Sequence, residues 1–265
     1  MAPDAPSAPA GRPAVDALIA WFGREGADLP WRRTRDRYAV LVSETMLQAT
    51  PVRRVVSYFT RWMERWPTPE ALADAALGDV LAAWHGLGYP RRARNLHAAA
   101  SAIARTGWPD DLTALPGVGP YTAAAVACFA DERAVIPVDT NVRRVLARRF
   151  PDGWPGTPDG EAWAVGQALM DFGREICSAR APACDAPCPL REGCPAADAG
   201  TVAEVTPKRR PQGRYEGSLR QRRGRLLGEI AERGRVPLDA DPDAAATLIA
   251  DGLVRAGRRY LLPMP

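Results

Sequence analysis

The stretch Leu115-Pro-Gly-Val-Gly-Pro-Tyr-Thr-Ala123, followed by an apolar run and then Val138-Asp-Thr-Asn141, decides how this chain of 265 residues is read. Gly117 and Gly119 let the backbone turn tightly between two helices. With no Cβ at either position, the amides around Val118 can come close to a phosphate. The second helix starts beneath that phosphate, where its N–H groups and positive dipole end favour an anion. Asp139 follows 20 residues after Gly119, one apolar helix further on, and is placed to return to the same cleft. A phosphate-gripping turn with a carboxylate beside it points to an enzyme that holds DNA and works on one nucleotide. Gly-Val-Gly alone reads equally well as an ordinary helix–helix turn, so the decision falls to three other segments.

The first is Cys177, Cys184, Cys188 and Cys194, spaced Cys-x6-Cys-x3-Cys-x5-Cys within 18 residues. Four thiols so close, with no histidine nearby, make a compact metal loop, and both zinc and a [4Fe–4S] cluster accept four thiolates. The fifth cysteine, Cys128, sits in an apolar helix and reads as core packing. The second is Ser43-Glu-Thr-Met-Leu-Gln-Ala-Thr50, in which Glu44 interrupts an apolar helix that carries Tyr38, Val40, Leu41 and Val42. A carboxyl there is either turned to solvent or kept in a cleft that favours its protonated form, as a general acid requires. The third is Gly86-Leu-Gly-Tyr-Pro-Arg-Arg-Ala-Arg-Asn95, where Tyr89 is suited to wedge into a base stack while Arg91, Arg92 and Arg94 meet phosphates.

Composition narrows the chemistry. Apolar residues make up 46% of the chain, with no uninterrupted apolar run of about 18 residues, which predicts a soluble protein without membrane spans. Residues 1–13 are rich in Ala and Pro and read as a disordered tail rather than a signal peptide, which places the cysteines in a reducing cytoplasm. From Thr201 onward there are 13 basic and 8 acidic residues, leaving 22 basic against 23 acidic before it, so the positive charge is concentrated in the tail. Lys208 is the single lysine, and His85 and His97 are the only histidines. Acid–base work therefore falls to carboxylates or tyrosine.

Helical spacing runs over 14–26, 37–48, 52–65, 70–84, 91–105, 121–130, 139–149 and 159–176, with Pro51, Pro67, Pro69, Pro90 and Pro116 at or near the boundaries. Strand alternation is nearly absent before residue 200, so the main domain, 14–200, is expected to be all-α. Residues 201–217 read as a linker. Residues 218–265 read as a small α+β unit like a reduced winged helix: helices near 219–233 and 242–251, a short Val236-Pro-Leu segment, and a terminal hairpin turned at Ala256-Gly257.

Taken in order, Leu-Pro-Trp-Arg32, Ser-Glu44-x-Met-Leu-Gln48, Gly-Leu-Gly-Tyr89, Leu-Pro-Gly-Val-Gly119, Asp139-x-Asn141 and the four cysteines resemble the helix-hairpin-helix base-excision glycosylases, and among them the MutY-type adenine DNA glycosylases. The resemblance covers about residues 14–200 and implies a two-lobed fold with an iron–sulfur loop over 177–194. It implies that Glu44 protonates an extruded adenine, Asp139 stabilises the sugar cation and Asn141 orients the site, a paired-carboxylate logic like that of glycoside cleavage. It assigns Gln48 and Tyr89 to filling the gap in the stack, and Trp31, Arg32, Leu47, Gln167 and Met170 to the wall of the adenine pocket. It also makes Cys177, Cys184, Cys188 and Cys194 ligands of a [4Fe–4S] cluster.

Tyr121 stands where the lyase relatives of endonuclease III carry lysine, which implies a monofunctional enzyme that leaves an abasic site. The expected partner is double-stranded DNA containing adenine opposite 8-oxoguanine or guanine, bound by a monomer. The alternatives are a thymine or uracil mismatch glycosylase and a non-catalytic iron–sulfur DNA-binding protein. This sequence departs from the family pattern in the three residues between Cys184 and Cys188, where two are usual, in Ala49, in Ala27, and in lacking room for the larger C-terminal domain that reads 8-oxoguanine.

Overall fold

The structure is a computed structural model that describes residues 11–185, 188–205 and 213–265. In chain order the helices are α1 (Arg12–Glu25), α2 (Arg37–Leu47), α3 (Val52–Arg65), α4 (Pro69–Ala73), α5 (Leu77–Trp84), α6 (Arg91–Thr106), α7 (Pro120–Phe129), α8 (Thr140–Arg149), α9 (Ala162–Glu175), α10 (Pro195–Asp198), α11 (Leu219–Arg233) and α12 (Pro242–Ala250). The strands β1 (Val236–Pro237), β2 (Arg255–Ala256) and β3 (Tyr260–Leu262) form one antiparallel sheet in the order β1-β3-β2. The main domain is all-α as the sequence predicts, and the small sheet lies in the tail. Residues 1–10 of the expected N-terminal tail, part of the expected linker, and Lys208 within it lie outside the described residues.

The described residues divide into two compact units: those of 11–29 and 124–205 in one, those of 30–123 and 213–265 in the other. In the first, α1 turns Val15, Leu18 and Trp21 inward, the three-residue spacing that puts side chains on one helix face. Trp21 meets Phe172 of α9 edge-on, with centroids 5.8 Å apart. Val142 and Val145 of α8 and Val165, Ala168 and Leu169 of α9 complete this core. Cys128 is fully buried and donates to the Ala162 carbonyl at 3.1 Å, in keeping with a packing role.

In the second unit α2 is buried along nearly its whole length, from Tyr38 to Met46. Asp36 caps it, accepting from the Ala39 amide at 2.7 Å. The small residues Ala93, Ala99 and Ala100 on the buried face of α6 allow close packing against α4 and α5. Trp62, Trp66 and Trp84 form an edge-to-face cluster.

One expected helix is two. The apolar spacing over 70–84 is interrupted at Asp74–Ala76, where the sequence has neither glycine nor proline. The His97 ring, from α6, hydrogen-bonds the Ala75 carbonyl at 3.0 Å, so a tertiary partner takes up a group that a continuous helix would have satisfied internally. The tail forms α11, α12 and the hairpin where expected. It belongs to the second unit: α11 packs on α5, and a Cβ at Gly228 would come within 2.7 Å of the His85 ring. Among the described residues no helix is long and apolar enough to cross a membrane.

Candidate active site

Glu44 lies on the buried helix α2 and is only 5% exposed. Tyr121, in the first turn of α7, donates its phenol hydrogen to Glu44 Oε2 at 2.9 Å. The two residues are 77 positions apart, and the helix-connecting turn at Gly117–Gly119 sets where α7 begins. A solvent-facing Glu44 is thereby excluded. The carboxyl group is held in place by a phenol.

Asp139 belongs to the other unit and caps α8. Its Oδ1 accepts from the Asn141 and Val142 amides at 2.8 and 2.7 Å, and its Oδ2 accepts from Asn141 Nδ2 at 2.9 Å. Both carboxylate oxygens therefore have fixed orientations. Asn141 Oδ1 accepts in turn from Arg144 Nη2 at 3.0 Å. Arg144, only 5% exposed, also donates to the carbonyls of Gly173 at 2.5 Å and Cys177 at 2.8 Å. Burial lowers the Arg144 pKa from its ordinary value. A chain of polar contacts thus leads from Asp139 through Asn141 and Arg144 to the first cysteine of the loop.

The turn between α6 and α7 treats its two glycines differently. Gly117 has φ +78°, and a Cβ there would stand 2.7 Å from Asn95 Cβ, so the fold itself demands glycine. Gly119 has no left-handed φ, and a Cβ there would meet nothing within 4 Å. The expectation that both glycines serve the turn holds only for Gly117. Val118 is buried. Together Gly117, Val118, Thr45, Gln48, Arg92 and Asn95 line a small cleft.

The other expected residues fall as follows. Leu47 and Gln48 are half-buried at the end of α2, and Tyr89 is 39% exposed on the loop before α6. Trp31 packs edge-on against Phe59 at 5.5 Å in the core of the second unit, with Arg32 half-buried next to it in the chain. Gln167 is buried and Met170 half-buried on α9 of the first unit. The arginines predicted to meet phosphates are otherwise engaged. Arg92 is turned into the protein onto backbone carbonyls, Arg94 donates to the Asp251 carbonyl, and Arg91 lies 3.8 Å from the Asp251 carboxylate.

Cys177, Cys184, Cys188 and Cys194 line one small cavity, together with Arg148, Arg149, Phe172 and Leu190. Among the described residues no histidine or carboxylate lines it. Arg148, 1% exposed, donates to Cys177 Sγ at 3.4 Å and to the Ser178 carbonyl at 2.9 Å, and its own carbonyl accepts from Cys194 Sγ at 3.6 Å. Burial pushes the Cys188 thiol up to about 11, with a Leu190 backbone hydrogen bond opposing. Burial, then Cys177 and Cys194, raises that of Cys184. Thiols raised in this way are protonated at neutral pH, and a cation bound among them would displace their protons. Among the described residues no group of three or more His, Cys, Asp or Glu side chains could hold a single metal ion. Ala186 and Pro187, two of the three residues that lengthen the Cys184–Cys188 interval, lie outside the described residues.

The family described as HhH-GPD superfamily base excision DNA repair protein matches residues 42–159. The adenine DNA glycosylase of Mycobacterium tuberculosis (strain ATCC 25618 / H37Rv) is 46% identical over 93% of this chain and 92% of its own. This chain belongs to the adenine DNA glycosylase family. The fold agrees. A solved thermostable thymine-DNA glycosylase matches with a TM-score of 0.64 at 25% identity, covering 70% of this chain and 95% of that one. A trapped endonuclease III–DNA covalent intermediate matches with a TM-score of 0.59 at 25% identity, covering 71% and 96%.

The chain is thus a base-excision repair enzyme that hydrolyses N-glycosidic bonds. Arg144 and Arg148 carry no mark in the sequence, and Arg92, expected on phosphate, is instead held by backbone carbonyls of the candidate site. All three are arginines on helices with other exposed arginines, and nothing in the local pattern distinguishes them. Only the tertiary contacts show which guanidinium groups point inward.

Proposed function

We propose that this enzyme removes adenine from duplex DNA where it is mispaired with 8-oxoguanine or guanine, acting as a cytoplasmic monomer and leaving an intact abasic site. The hydrogen bond from Tyr121 to Glu44 carries this reading. It supports Glu44 as the acid of the site, and it fills with a phenol the position at which lyase relatives carry the attacking amine.

In this reading Glu44 gives its proton to a ring nitrogen of the extruded adenine, making the base a better leaving group. The carboxylate of Asp139, oriented by Asn141 and the α8 amides, stabilises the positive charge that develops on the sugar. Extrusion costs a few kcal/mol of unstacking, which Gln48 and Tyr89 partly offset by filling the gap. Trp31, Arg32, Leu47, Gln167 and Met170 wall the base pocket. Phosphate approaches the turn at Gly119, where the open space that a Cβ would occupy leaves the backbone accessible.

Cys177, Cys184, Cys188 and Cys194 would hold a [4Fe–4S] cluster. The four cysteines line one shared cavity, and a zinc ion or a cluster would accept their thiolates. The resemblance to the iron–sulfur glycosylases favours the cluster. Such a cluster would tie the loop to α8 and α9, and Arg148 would donate to its Cys177 sulfur.

A second reading, a thymine or uracil mismatch glycosylase, is favoured by the likeness to the solved thymine-DNA glycosylase. One experiment separates them. Duplexes containing A:8-oxoG, A:G, T:G and U:G are incubated with the protein, and abasic sites are revealed by alkali. Release from A:8-oxoG and A:G is expected, and release confined to T:G or U:G overturns the proposal.

A further inference from the structure

Arg92 was expected on the DNA side and is found inside the second unit, where it joins two separate turns. Its Nη1 donates to the carbonyls of Thr45 at 2.8 Å, Met46 at 3.2 Å and Gln48 at 2.6 Å, the last turn of α2 and the residue beyond it. Its Nη2 donates to the carbonyls of Leu87 at 3.0 Å and Gly88 at 2.9 Å, in the loop before α6, and to Thr50 Oγ1 at 3.2 Å. Thr50 Oγ1 donates onward to the Leu87 carbonyl at 3.2 Å, closing a ring between the two segments. The guanidinium carbon lies 5.5 Å from the centroid of the Tyr89 ring and 5.2 Å from that of Trp84. Trp84 Nε1 also donates to the Gly88 carbonyl, at 3.0 Å.

The two turns so joined are unusual. Only three non-glycine residues among those described have positive φ, and two of them are here: Ala49 at φ 55°, directly after Gln48, and Tyr89 at φ 48°. Left-handed backbone at residues with a Cβ is strained and persists only where the surroundings over-determine it. The surroundings in this case are the guanidinium fork, whose planar set of donors meets carbonyls in fixed directions. A group this deeply committed is unavailable to phosphate. Burial lowers its pKa to about 10, with Tyr89 opposing.

We infer that Arg92 is a positioning residue that locks the Gln48 turn and the Tyr89 loop into one preformed wedge, so that both side chains enter the base stack together. The inference rests on the proposed gap-filling role of Gln48 and Tyr89 and deepens it. The ordering of two strained turns is done in the folded protein, and none of it is left to be done against the stacked duplex. Preorganisation of this kind speeds extrusion without adding any contact to DNA.

The test uses the full chain and a duplex with 2-aminopurine beside the target adenine, whose fluorescence rises when the adenine leaves the stack. Arg92→Lys keeps the charge but cannot span both turns. It is expected to lower the extrusion signal about tenfold, a loss of the size expected for a broken charged hydrogen-bond network. Affinity for undamaged duplex should stay within about twofold, since no phosphate contact is lost. In a Gln48→Ala/Tyr89→Ala background the same change should have no further effect, because residues that act through one another are not additive. An undiminished signal in Arg92→Lys, or an equal further loss in the double-alanine background, overturns the inference. If the double-alanine variant itself extrudes normally, the gap-filling reading fails and takes the inference with it, which identifies the source of failure. Should Arg92→Lys not fold, Thr50→Val removes one member of the same ring. It is expected to lower extrusion about threefold, and an unchanged signal refutes the lock.

Discussion

Replacing Asp139 by asparagine separates what this residue does for the fold from what it does for the sugar. An asparagine keeps an Oδ1 that can accept from the Asn141 and Val142 amides, now at 2.8 and 2.7 Å, and asparagine and aspartate cap helices almost equally well. What changes is the second oxygen. An Nδ2 in place of Oδ2 would face Asn141 Nδ2, at present 2.9 Å away, setting donor against donor. Losing one charge-assisted hydrogen bond of this kind costs about 2 kcal/mol of stability. Losing the negative charge that faces a developing cation costs more in rate, about 100- to 1,000-fold by analogy with removal of one electrostatic stabiliser from an active site. The assays are thermal unfolding and single-turnover base release from an A:8-oxoG duplex with enzyme in excess. A paired variant, Asp139→Asn/Asn141→Asp, restores the donor–acceptor match and gives Arg144 a carboxylate in place of its amide partner. Stability should return to near the wild-type value, while base release stays slow. Near wild-type release by Asp139→Asn, or full recovery of rate in the paired variant, would show that Asp139 is a helix cap and nothing more.

Glu44→Gln should bind the duplex with unchanged affinity and lose base release by at least about 100-fold, since an amide keeps the shape but cannot supply the proton; single-turnover release near the wild-type rate would place the acid elsewhere. Protein purified without oxygen should be brown and hold about four irons per chain, whereas one zinc and no iron on elemental analysis would refute the cluster. Gly117→Ala, with its left-handed φ and a Cβ 2.7 Å from Asn95, should destabilise the fold by about 1–3 kcal/mol. Gly119→Ala should leave the melting temperature within about a degree and weaken duplex binding instead, so equal destabilisation by the two changes would remove the argument for phosphate at Gly119.

Much of this protein follows from the sequence alone, because helices announce themselves locally. Apolar spacing and proline punctuation locate α1, α3, α6 and α11 to within two residues, since a helix end depends on the few residues around it. The candidate acid, the cap carboxylate and the four thiols likewise sit in short motifs of fixed order. Other features depend on partners distant in the chain. The break between α4 and α5 is made by His97, more than 20 residues away, and carries no local mark. Whether Gly117 or Gly119 is required by the fold depends on where Asn95 stands, which no motif records.

The arginines show the limit most clearly. Arg91, Arg92 and Arg94 are indistinguishable as a basic cluster, yet Arg92 is drawn inward by carbonyls at the end of α2 and in the Tyr89 loop. A guanidinium satisfies whichever acceptors the fold brings within reach, and those acceptors are backbone groups that every residue carries. The sequence by itself therefore determined most of the helices, the candidate reacting groups and the family. The tertiary structure decided which charges are spent on holding the site together, because carbonyl acceptors acquire their positions only when distant segments pack.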